Sequence, residues 1–71
     1  MDWEKLGEFD EIKAGMIKGL LEENDIPVLI KQSDYAMPVI FGSGGIVEVY
    51  VPSGSLRRAK ELVDEFIGEE G

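Results

Sequence analysis

The stretch DEIKAGMIKGLLEENDIPVLIK, residues 10–31, decides the fold. Asp10 is a good N-cap, and Glu11 stands in the first turn, where the helix dipole favours an acid. Behind them Ala14, Ile17, Leu20 and Leu21 recur at helical spacing, and Met16 extends the same buried stripe. Asn24 tolerates a left-handed backbone and suits the position just past the helix end. Pro27 keeps Ile26 extended and forbids further helix, so residues 26–31 read as a strand. Gly15 and Gly19 lie in the helix interior, each at a cost of about 1 kcal/mol relative to alanine. Close packing against a sheet or a neighbour would offset that loss.

Working outward, residues 3–6 form a short first strand. Downstream, IVEVYV at residues 46–51 is the clearest strand, with Val47, Val49 and Val51 on one face and Ile46, Glu48 and Tyr50 on the other. Pro52 ends it. Ser53 or Ser55 caps a second helix whose apolar stripe is Leu56, Ala59, Leu62, Val63, Phe66 and Ile67. Gly68 closes this helix, and residues 69–71 read as a frayed tail. Residues 32–45 form one long irregular connection, within which residues 38–41 could add a short edge strand. No internal repeat is present.

Strand, helix, strand, strand, helix is an α+β order. A right-handed crossover makes strands one and two parallel, and strand three fits between them, antiparallel to both. The expected fold is a ferredoxin-like βαββα unit with a three-stranded sheet in order 1-3-2 and both helices on one face. The strand-one edge is then open, blunted by its shortness and by the charges of Asp2, Glu4 and Lys5. Pairing of that edge with a second copy, or cover over the outer sheet face, is the alternative. Ile46, Tyr50, Leu29 and Trp3 are the residues expected on that face.

Composition narrows the function. A chain of 71 residues makes one domain, residues 1–71. Its apolar fraction of 44% is that of a folded domain despite a net charge of −8. It has no cysteine and no histidine, which removes thiolate and imidazole chemistry and the commonest metal ligands. No catalytic residues, cofactor or metal site are expected. Fifteen acidic residues against seven basic ones repel phosphate backbones and anionic membrane surfaces, so no nucleic-acid or membrane partner is expected. Apolar runs fall far short of the roughly 20 residues of a membrane helix. Met1-Asp2-Trp3-Glu4 has no basic region followed by an apolar one, so a cytoplasmic location is expected.

Three stretches carry the resemblance to a known family: KLGEFDEIKAGMIKGLLEENDIPVLIK, GGIVEVYVP and LRRAKELVDEF. They resemble the small prokaryotic domains called putative signal-transducing proteins. Ile17, Lys18, Leu20, Leu21 and Glu22 match the family's first helix, and Ile26, Pro27 and Val28 its second strand. Val49, Val51 and Pro52 match the third strand, and Ala59 the small residue of the last helix. Lys13 stands where the family often has glutamate, and Asp25 where it often has glycine. The resemblance implies a ferredoxin-like fold related to PII-like signalling proteins. It implies no reaction and no catalytic residues, which leaves a small regulatory or protein-interaction module.

Three sites are candidates. Arg57, Arg58 and Lys60 crowd the start of the last helix while Asp64 and Glu65 lie near its end, against the macrodipole. With Ser53, Gly54 and Ser55 the two arginines could hold a small anionic metabolite. The simpler account pairs them with Glu22, Glu23 and Asp25, which the 1-3-2 layout brings to the same end. Gly42, Ser43, Gly44 and Gly45 are better read as a flexible connector than as a phosphate loop, since they open a strand and present no lysine. Tyr35, Met37 and Phe41 in the long connection suit a contact surface, or equally a cover over the core.

Overall fold

A computed structural model describes residues 2–32 and 45–68. Strand β1 (Trp3–Asp10) leads directly into helix α1 (Glu11–Glu23). Strand β2 (Leu29–Gln32), strand β3 (Ile46–Pro52), a single 3-10 turn (Ser53–Ser55) and helix α2 (Leu56–Gly68) follow. The sheet order is β1-β3-β2, and both outer strands run antiparallel to β3. This is the expected ferredoxin-like βαββα arrangement. The edge strand expected at residues 38–41 lies outside the described residues, as does the tail at 69–71.

Alternation along β3 builds the core. Val47, Val49 and Val51 are buried, and they meet Ala14, Ile17 and Leu21 from α1 and Ala59, Leu62 and Val63 from α2. Ile17, Leu21, Val49 and Val51 are completely enclosed. Burying an aliphatic side chain of this size contributes about 1.5–3 kcal/mol, so these four side chains carry much of the stability. Both helices therefore cover one face of the sheet, and the other face carries no described element.

Helix α1 starts as its sequence dictates. The Lys13 backbone N–H donates to Asp10 Oδ1 at 2.8 Å. Its end differs from expectation. Asn24 is the C-cap at φ −101°, and Asp25 takes the left-handed conformation at φ 63°. The Ile26 amide then donates to the Leu21 carbonyl at 2.9 Å, and the Asp25 amide to Glu22 at 3.1 Å. This pair of bonds is a Schellman closure, with Ile26 and Leu21 sharing the core as its apolar contact. Ile26 is thus spent on ending the helix. For that reason β2 begins at Leu29 and not at Ile26. Met16 is also displaced from its expected place: it is exposed, as is Ile12.

Strand β1 runs to Asp10, four residues beyond the expected end. A bulge between Lys5 and Gly7 explains the difference. Strict alternation would send Phe9 to the outer face with Trp3 and Lys5. The extra residue shifts the parity, so that Leu6 and Phe9 both pack against the core while Glu8 turns outward. Gly7 makes room for this: a Cβ there would stand 3.1 Å from the Phe9 ring.

Candidate functional site

The outer sheet face is built from paired rows. Lys5, Tyr50 and Leu29 form one row, and Glu8, Glu48 and Lys31 the next. Trp3 faces Pro52 at one end, and Asp10 faces Ile46 at the other. Residues directly opposite in a sheet share a face, so these ten side chains form one surface. Trp3, Leu29 and Ile46 are each 40–42% exposed, which is high for large apolar groups in a sheet.

Charge organises the centre of this surface. Glu8 and Glu48 stand directly opposite, a placement that repels unless a cation intervenes. Lys5 Nζ intervenes, at 2.6 Å from Glu8 Oε2 and 3.6 Å from Glu48 Oε2. The hydrogen bond to Glu8, then the Glu48 charge, holds the Lys5 amine above its ordinary pKa. Tyr50 Oη donates to Glu48 Oε1 at 2.8 Å, and Lys31 Nζ lies 5.5 Å from the centre of the Tyr50 ring. The side chains at the centre are thus held in place by one another, between apolar residues at the rim.

The bulge makes this cluster. Residues three apart on a regular strand point to opposite faces, yet Lys5 and Glu8 meet on one. Nothing in the local sequence announces that, and sequence reasoning missed Glu8, Glu48, Lys5 and Lys31 as a unit. Trp3, Leu29, Ile46 and Tyr50 do share the face expected of them. Tyr35, Met37 and Phe41 lie outside the described residues. Ile12 and Met16 form a second exposed apolar strip, one turn apart on α1. Their spacing could have been read as surface only by knowing which side of the helix the sheet takes.

The start of α2 differs from the sequence picture. Ser53 does not cap the helix; its N–H and its hydroxyl donate to the Asp2 carbonyl at 2.9 and 3.1 Å, tying the turn to the start of β1. No side-chain hydrogen bond caps the 3-10 turn. Both Ser53 donors are thereby withdrawn from any anion, leaving Gly54, Ser55, Arg57 and Arg58. Arg57 and Arg58 are exposed, and among the described residues neither pairs with Glu22, Glu23 or Asp25. Glu22 pairs instead with Lys18, at 3.4 Å within α1. Among the described residues no group of three or more acidic side chains could hold a metal ion. No helix there is long and apolar enough to cross a membrane.

With the geometry in hand, comparison with known proteins identifies the family. A model of the family described as putative prokaryotic signal transducing protein matches residues 3–67. The chain belongs to this family. The matched span begins at Trp3 and ends at Ile67, so it takes in every described strand, helix α1 and all of helix α2 but its last residue, Gly68. No curated protein and no solved structure matches the chain.

Proposed function

We propose that the chain is a small regulatory module that works by protein contact through the outer face of its sheet, with no catalysis. The observation that carries this is the exposure of Trp3, Leu29 and Ile46 around the tied cluster of Lys5, Glu8, Glu48, Tyr50 and Lys31. Apolar groups around a prearranged polar centre fit protein recognition, because little side-chain freedom remains to be lost on binding. The family description, putative prokaryotic signal transducing protein, agrees with a role exercised through a partner. Such a partner would present apolar side chains to the rim and polar groups of both signs to the centre.

The test is site-specific photo-crosslinking in cells. A crosslinker at Leu29 or Ile46 should trap a partner. One at Lys18, on the helical side, should not. Tyr50→Lys should abolish the sheet-face adduct while leaving the circular dichroism spectrum unchanged. Adducts confined to the Lys18 probe would show that the sheet face is not the working surface.

A further inference from the structure

Beside the outer edge of β1, Leu6, Phe9, Val63 and Ile67 line an open groove of about 260 Å³ between strand and helix α2, rimmed by Lys60 and Asp64. No described strand pairs with this edge. An edge strand offers a row of N–H and C=O groups for pairing, and this one, eight residues long, is covered by no other strand among the described residues. Backbone groups next to an apolar groove are the two parts of a strand-addition site. The hydrogen bonds hold an incoming strand, and the groove takes its alternate side chains.

We propose that β1 pairs antiparallel with β1 of a second copy, about a two-fold axis between Leu6 and Gly7, joining two three-stranded sheets into one. The charge order of WEKLGEFD chooses this occupant and this register. About that axis Lys5 of each copy faces Glu8 of the other, Leu6 faces Gly7, and Trp3 faces Asp10. Both ion pairs form together, as a self-complementary interface requires. Moving the axis onto Leu6 sets Glu4 against Glu8, and moving it onto Gly7 sets Glu4 against Asp10. Either shift sets Glu4, which lies on the helix side opposite Val51, against an acid of the outer face, so that facing side chains would no longer share a face as a strand pair requires.

The bulge makes the register workable in three dimensions. It places Lys5 and Glu8 on the same outer face, so the pairs meet there. It places Leu6 and Phe9 on the helix side, so the two grooves meet beneath the joined sheet. The outer face remains open for a different protein. The proposal rests on the reading above for the premise that the chain works by contact, and it draws on Lys5 and Glu8 of the same outer-face cluster, at the β1 edge of that face.

Sedimentation equilibrium tests it. The native chain should show twice its 7.9 kDa mass. Lys5→Glu alone and Glu8→Lys alone should each weaken the dimer about tenfold or more, since both facing pairs become repulsive. An equimolar mixture of the two variants should dimerise again, because every facing pair is once more acid against base. Hydrogen exchange of the native β1 amides should slow as concentration rises, a readout independent of how well either variant folds. A native chain that stays monomeric at millimolar concentration overturns the proposal. So does a mixture no tighter than its components, or β1 exchange indifferent to concentration. A dimer lost with Tyr50→Lys but kept by both edge variants would move self-association to the outer face. That result overturns edge pairing and leaves the contact-module reading standing.

Discussion

Asp25 holds a left-handed backbone at φ 63° and has an exposed side chain at the end of α1. A residue with a Cβ in that conformation bears a cost that glycine does not, though aspartate bears less than most. Its negative charge also sits near a helix C-terminus, where the dipole disfavours acids. Both effects act in one direction. Asp25→Gly should therefore stabilise the fold by about 1 kcal/mol, the strain relief exceeding the extra freedom of glycine in the unfolded chain. For a domain of this size that is a rise in Tm of about 4–8 °C. Asp25→Asn separates the contributions, removing the charge while keeping the left-handed residue. A thermal melt in which Asp25→Gly is level with or below the native chain would refute the strain argument. The same residue explains a gap in sequence reading. Asn24 and Asp25 both tolerate the left-handed region, and composition does not say which will adopt it. The choice falls to packing: only with Asp25 turned does Ile26 reach the core beside Leu21.

At the scale of the element, α1 presents Ile12, Gly15, Met16 and Gly19 away from the core. A Cβ added at Gly15 or Gly19 would meet nothing within 4 Å. The close packing that would justify these glycines is therefore not supplied by the described chain. Gly15→Ala and Gly19→Ala should each stabilise the monomer by about 1 kcal/mol, from helix propensity alone. Chemical denaturation would measure it as a higher midpoint with an unchanged slope. A lower midpoint would mean that the glycines serve a contact within the chain. What the sequence disclosed follows the same divide between local and tertiary signals. The Asp10 cap, the β3 alternation and the α2 stripe are local patterns with one reading each, and they led to the 1-3-2 sheet. The length of β1 was hidden because the bulge at Leu6 breaks the period-two pattern that reveals strands. The outer-face apolar residues were legible from alternation. The Lys5–Glu8–Glu48 cluster was not, since it depends on that bulge and on strand pairing across forty residues of sequence.

At the scale of the whole molecule, the net charge of −8 is the dominant electrostatic fact. Among the described residues three ion pairs oppose it, and their charged side chains are mostly 41–49% exposed, with Glu48 at 17%. Exposed pairs of this kind are worth about 0–1 kcal/mol each. The repulsion is longer in range. The molecule is 16 Å thick along its shortest axis. At about 0.01 M salt the screening length is about 30 Å, so charges on opposite surfaces repel through and around the fold. At about 0.15 M it falls to roughly 8 Å, which leaves mainly near neighbours interacting. Repulsion among many distant acids is thus removed first, and the short pairs last. Self-repulsion of this kind weakens a compact state relative to an expanded one. Tm should therefore rise as sodium chloride increases over that range, measured at protein concentrations low enough to keep the chain monomeric. Association should strengthen over the same range, because two acidic bodies are being brought together, and its gain should flatten once the Lys5–Glu8 pairs are themselves screened. A Tm that falls with salt would show that the clustered pairs on the outer face outweigh the net charge, contrary to the magnitudes above.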